Sequence, residues 1–116
     1  GATTIINGVG NLVVGYNEVP STLNPGDRGG SHNLIVGTEH KSLSLGGFLA
    51  GFRNTVTTRY ASVSGGNQNT ASFDYASVSG GGNNTASGNS SSVRGGYNRS
   101  AGGPYDWAAG GLWEDQ

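Results

Sequence analysis

Residues 61–75 (ASVSGGNQNTASFDY), 76–90 (ASVSGGGNNTASGNS) and 91–105 (SSVRGGYNRSAGGPY) align end to end without a gap. That fixed, short period constrains the fold more than any other feature of the chain. It is too short for a helix pair and carries no apolar stripe of helical period. It matches one coil of a solenoid made from two short strands and two tight turns. Residues 46–60 (GGFLAGFRNTVTTRY) are a diverged copy, and residues 106–116 begin another. Two earlier segments, 11–15 (NLVVG) and 33–37 (NLIVG), fit the same frame. One glycine per coil sets the register: Gly15, Gly37, Gly51, Gly66, Gly81, Gly96 and Gly111. The interval is long between the first two, one residue short between Gly37 and Gly51, and constant from there on. The long interval holds residues 18–30 (EVPSTLNPGDRGG), whose Pro, Gly, Asp and Asn mark a loop extruded from one coil. The chain therefore reads as one all-β repeat domain over residues 1–116. It has a loop insertion at 18–30, repeats at 46–60, 61–75, 76–90 and 91–105, and a C-terminal cap at 106–116.

Composition alone would also suit a disordered chain: hydrophobic residues are 33%, charged residues 11%, and glycine numbers 23. The even spacing of Val, Leu, Tyr and Phe argues for order instead. Stacked coils would lie at the inter-strand spacing of ~4.8 Å. The register glycines then supply the positive φ that a tight corner demands. Asn54, Asn69 and Asn84, each following such a glycine at the same short interval, read as turn residues that tolerate the left-handed region.

Side chains alternate along a strand, so each strand offers two columns. Counting back from the glycines, one face carries Leu12, Leu34, Phe48, Val63, Val78, Val93 and Ala108, with Val14, Val36 and Ala50 two positions on. We expect Leu12, Val14, Leu34, Val36, Phe48, Val63, Val78 and Val93 to fill the interior. The second strand adds Val56, Ala71, Ala86 and Ala101. The opposite face reads Val13, Ile35, Leu49, Ser64, Ser79, Arg94 and Ala109. A strand apolar on both faces is buried on both. Val13, Ile35 and Leu49 are therefore the expected subunit interface, covered by another copy of the chain. Arg94 would bring like charges together at an axis unless an anion or Asp106 met it.

Catalytic and cofactor chemistry finds little footing. The net charge of −1 gives no electrostatic footprint for nucleic acid. Cysteine is absent, which removes disulfides and thiolate metal sites. No apolar run approaches the ~18 residues of a membrane span, so this segment is not expected to insert. His32 and His40 are the only histidines and lie among scattered carboxylates. The glycine runs match neither a phosphate loop nor the aspartate-bearing calcium nonapeptide. No serine is singled out for a Ser-His-Asp arrangement. We expect no enzyme activity, no cofactor and no metal.

Four residues are candidates for facing a ligand. Tyr60 and Tyr75 share a column with Tyr105, interrupted by Ser90; such a column also suits a stacked ladder supporting neighbouring coils. Asp27 and Arg28 lie in the 18–30 loop, and loops leaving a rigid scaffold often carry binding. The same loop would serve equally as a clasp on a neighbouring subunit. Trp107 and Trp113 fall where the repeat ends and read as cap or interface packing.

The strings NLVVGYN, NLIVGTEH and YASVSGGNQNTASFDYASVSGGGNNTASG resemble the YadA-like head repeats of trimeric autotransporter adhesins over about residues 11–111. The resemblance implies a left-handed parallel β-roll, three chains around a common axis, a place on the bacterial cell surface, and attachment to a host matrix protein or glycan. The repeats are similar also to those of phage-like tail fibres and injection-system fibres, where the role would be a structural spacer or tip. A third reading is ice binding, since Thr55, Thr70 and Thr85 line up beside Thr57, Ser72 and Ser87. Those rows are short, and Ser100 and Gly102 end them.

Overall fold

The computed structural model describes residues 10–15 and 29–109. Within them the chain is a parallel β-solenoid with no helix. Strands β1 (Leu12–Val14), β2 (Leu34–Thr38), β4 (Phe48–Phe52), β6 (Ser62–Val63), β8 (Ser77–Val78), β10 (Ser92–Val93) and β12 (Trp107–Ala108) form one sheet in that order. Strands β3 (Lys41–Ser42), β5 (Thr55–Val56), β7 (Thr70–Ala71), β9 (Thr85–Ala86) and β11 (Ser100–Ala101) form the other. From β2 onward successive strands alternate between the sheets, and every pairing is parallel.

The strands are short because the corners take most of each coil. Positive φ recurs in three columns. One is the register glycine, as at Gly37, Gly51, Gly66, Gly81 and Gly96. Here space as well as conformation dictates glycine. A Cβ on Gly51 would lie 2.2 Å from the carbonyl oxygen of Gly66, and one on Gly66 would lie 2.0 Å from that of Gly81. The second column runs through Glu39, Arg53, Gln68, Asn83 and Asn98, with φ between 54° and 58°. The third runs through His32, Gly46, Tyr60, Tyr75, Ser90 and Tyr105. The expectation that Asn54, Asn69 and Asn84 adopt the left-handed region is corrected: their chain neighbours Arg53, Gln68 and Asn83 do so instead.

The interior lies between the sheets and is thin. From the seven-stranded sheet it receives Ile35, Leu49, Val63, Val78 and Val93; from the other it receives Val56, Ala71, Ala86 and Ala101, all fully or almost fully buried. The second set is the one expected from sequence. In the first set, Val63, Val78 and Val93 agree with expectation, whereas the earlier coils have their faces exchanged. Leu49 pairs with Val63 and Phe48 with Ser62, a step one residue shorter than those from Val63 to Val78 and from Val78 to Val93. Val63 is followed by Ser64 and Gly65 before the corner at Gly66, whereas Leu49 is followed only by Ala50 before Gly51. The extra residue sits between the interior position and the glycine. Counting back from the glycine therefore slips the strand by one, and a one-residue slip moves every side chain to the other face.

Two corrections follow. Leu12, Val14, Leu34, Val36 and Phe48 do not fill the interior: Leu34 pairs with Phe48 and Phe48 with Ser62 on the outward face, and Leu12 and Val14 are 61% and 52% exposed. Ile35 and Leu49 are not an outer interface but the inner column, and Val13 pairs with Ile35 on that same inner side.

This register makes a sharp prediction. Leu49→Ala should cost about 2–5 kcal/mol of unfolding free energy, the range for emptying a buried leucine site. Ser64→Ala, on the exposed outer face, should change it by no more than ~0.5 kcal/mol. Denaturant titration of both variants checks the pair. Equal effects would contradict the register.

Candidate interaction surfaces and the ladder behind them

Surfaces on a solenoid hold their shape only if its coils are locked together. The lock here is a buried column of amide side chains. Asn54, Asn69 and Asn84 are fully buried and stand one above another. The Oδ1 of each accepts a backbone N–H from the next coil. Asn69 N–H donates to Asn54 at 2.8 Å, Asn84 N–H to Asn69 at 2.9 Å, and Arg99 N–H to Asn84 at 2.8 Å. Each Nδ2 donates both to a carbonyl earlier in its own coil and to the register glycine of the next. For Asn69 these are Gly65 at 3.1 Å and Gly81 at 3.0 Å. Corner carbonyls turned toward the column are thereby satisfied.

His40 occupies the same column one coil earlier. Its Nδ1 accepts the Asn54 N–H at 3.1 Å, which places the ring proton on Nε2, 3.0 Å from the Val36 carbonyl. The imidazole thus reproduces the acceptor and donor roles of the asparagine amide. Burial pushes its pKa below the ordinary 6.5, and the hydrogen bonds with Val36, Asn54 and Gly51 oppose that shift only in part. A second proton would sit on Nδ1, facing the Asn54 N–H donor. Nothing in the sequence around His40 marks it as a ladder member. The signal is its distance from Asn54, which equals the step from Phe48 to Ser62. Among the described residues no three His, Cys, Asp or Glu side chains gather. His32 stands at an exposed corner.

Three surfaces are built on this frame. On the outside of the seven-stranded sheet, Leu12, Leu34 and Phe48 in one column and Val14, Val36 and Ala50 in the next make an apolar area three coils long. It continues as Ser62, Ser77 and Ser92 beside Ser64, Ser79 and Arg94, and ends at Trp107, which pairs with Ser92 and is exposed. On the outside of the five-stranded sheet, Thr55, Thr70 and Thr85 are aligned, flanked by Lys41 and Ser100.

The third surface is the corner carrying the tyrosines. Tyr60 and Tyr75 are stacked, with ring centroids 5.7 Å apart and planes 19° from parallel. The Arg59 N–H donates to the Asp74 carboxylate beside them at 3.1 Å. On the neighbouring corner Arg53 pairs with Glu39 of the preceding coil and lies over the Phe52 ring, 5.0 Å from its centroid. Asp27, Arg28 and Trp113 lie outside the described residues. The tail of the 18–30 loop rejoins the stack where the Gly30 N–H donates to the Ser42 carbonyl at 2.7 Å.

No protein-family model matches the sequence, and no curated protein or solved structure matches it. The fold and the ladder define the chain as a parallel β-solenoid repeat protein with coils of about 15 residues.

Two outcomes test the ladder. Asn69→Ala removes the acceptor of the Asn84 N–H and the donor to two carbonyls. At ~1–3 kcal/mol for each buried group left unpaired, it should cost about 3 kcal/mol or more, while Asn67→Ala on the exposed corner should cost less than ~0.5 kcal/mol. The second outcome concerns pH. The unfolded chain protonates His40 near pH 6.5, whereas the folded chain holds it neutral to lower pH. Between those values the unfolded state binds more protons, so acid favours unfolding. The His40 contribution is unperturbed above about pH 6.5 and destabilises progressively as pH falls toward the folded-state pKa. His40→Asn supplies the amide used elsewhere in the column and should flatten this part of the pH–stability curve. An unchanged acid limb would contradict the role given to His40.

Proposed function

We propose that this chain is a non-enzymatic, homotrimeric head or fibre segment that mediates attachment at a bacterial cell surface, to a matrix protein or a glycan. The observation that carries the reading is the apolar outer face of β1, β2 and β4. Apolar areas that are contiguous, rather than scattered, mark surfaces that another molecule covers. A parallel arrangement of identical chains sets like layers against like, so Leu34 and Phe48 of one copy meet those of the others. The serine layers that follow are small enough for close approach of the same faces. The choice of three copies, and of the bacterial surface, comes from the resemblance to YadA-like head repeats.

The sequence expectation that one chain leaves an apolar strand face for a neighbour is retained, with its residues changed. Leu12, Val14, Leu34, Val36, Phe48 and Ala50 take the place of Val13, Ile35 and Leu49 in this proposal. A second reading, a structural spacer in a phage-like or injection-system fibre, draws on the uniformity of the three coils from 61 to 105. It shares the assembly and differs only in having no ligand.

Light scattering coupled to size exclusion tests the assembly. The native chain should run near three times its 11.7 kDa. Leu34→Ser with Phe48→Ser should release a folded, solenoid-like monomer, because both side chains lie on the outer face. A native monomer would overturn the proposal.

A further inference from the structure

From Tyr60 onward, the column of left-handed corner residues is an aromatic series with one interruption. Tyr60, Tyr75, Ser90 and Tyr105 are successive members, with φ of 57°, 62°, 57° and 63°. Their backbones are chained in register: Tyr75 N–H donates to Arg59, Ser90 N–H to Asp74, and Tyr105 N–H to Asn89, at 3.1, 3.0 and 2.8 Å. Where two tyrosines are adjacent they stack, at 5.7 Å. Where serine intervenes, two tyrosines stand two coil steps apart, about 9.6 Å along the stack. The stacked pair is less exposed than the tyrosine beyond the gap: 52% for Tyr60 and 58% for Tyr75, against 78% for Tyr105.

The geometry points to a slot between Tyr75 and Tyr105, floored by Ser90, that accepts one pyranose ring of a glycan chain. A ring centred in the slot takes the level of the missing tyrosine, one coil step from each wall, the step across which Tyr60 and Tyr75 stack face to face. The floor is polar: the Ser90 hydroxyl donates to Asn89 Oδ1 at 2.9 Å, which leaves the hydroxyl oxygen able to accept from a sugar hydroxyl. Apolar walls facing a polar floor match a saccharide, whose ring faces carry C–H groups and whose rim carries hydroxyls. A flat aromatic ring would use the walls and leave the floor unmatched. The slot is complete within one chain and lies apart from the apolar sheet face. The inference gives the attachment reading a ligand class, and rests on that reading only for what the binding accomplishes.

The test uses the full chain with three soluble probes, chitohexaose, cellohexaose and a linear mannan oligosaccharide. Binding is read by saturation transfer to the sugar protons and by titration of the tyrosine ring resonances. Ser90→Tyr is the informative variant. Tyrosine already occupies this corner conformation at 60, 75 and 105, so the substitution should fold, complete the stack and raise the melting temperature while abolishing saccharide binding. Tyr105→Ala removes one wall from an exposed position and should weaken binding about tenfold, the effect of losing one ring-face contact. Tyr97→Ala, exposed on a different corner, should leave affinity within about twofold.

Binding by at least one probe with this pattern supports the slot. No binding by any of the three, or binding that survives Ser90→Tyr, overturns it. Competition by a tyrosine-rich peptide that binds more tightly than every sugar overturns the saccharide assignment. Solution mass is measured on the same samples. A trimer that binds no sugar sinks the slot alone, and a monomer that binds sugar sinks the trimer alone.

Discussion

The surfaces of the described coils depend on the buried asparagine column. The solenoid has a thin interior filled mostly by valine and alanine, with Ile35 and Leu49 in the earlier coils and Ser42 in the column of Val56. Such a core supplies little apolar burial against a backbone cost of ~1–2 kcal/mol per residue. The corners, moreover, turn carbonyls and N–H groups inward, toward the column. Asn54, Asn69 and Asn84 satisfy those groups across two coils at once. A polar network of this kind specifies register more sharply than hydrophobic contact does, because a buried polar group left unpaired is so costly. It also explains why glycine must stand beside it: the register glycines bring one backbone within reach of the next and leave no room for a side chain.

Much of this fold was legible from period alone. The repeat specified stacked coils, two strands per coil and the inward Val56, Ala71, Ala86 and Ala101. What the glycine count obscured was the place of the extra residue. The shorter and longer coils agree at the glycine and disagree at the strand, so Phe48 aligns with Val63 on paper and pairs with Ser62 in space. The hydrophobic pattern could not arbitrate, since LVV, LIV and FLA are apolar on both faces. The asparagines mislead in a related way. Their type suggests a turn, and they do stand at one, but the left-handed residue is the one before, including Arg53 and Gln68, which no turn propensity would nominate. His40 becomes legible only once the ladder is known, because one imidazole in an asparagine column has no local signature.

The surfaces follow from the same register. Exchanging the two faces moves Leu34 and Phe48 outward and brings the apolar area onto the outside of the longer sheet, continuous with rows of serine. The tyrosines are legible as a column from sequence, and their stacking at Tyr60 and Tyr75 agrees with a ladder that supports neighbouring coils. The interruption at Ser90 has meaning only when the coils are set at their true spacing, because it opens a gap bounded by aromatic rings. Asp27 and Arg28, outside the described residues, enter none of these surfaces.

The central claim, that the asparagine column locks the coils in register, is tested most directly by native-state hydrogen exchange at the backbone amides of Asn69, Asn84 and Arg99. Each donates to the side chain of the preceding member, not to a strand. If the column is the lock, these three amides exchange only through global unfolding and rank with the slowest in the protein, alongside Val63 and Val78. Exchange at the rate of an unprotected peptide, with the strand amides still protected, would show that the coils are held by their sheets alone and would contradict the account.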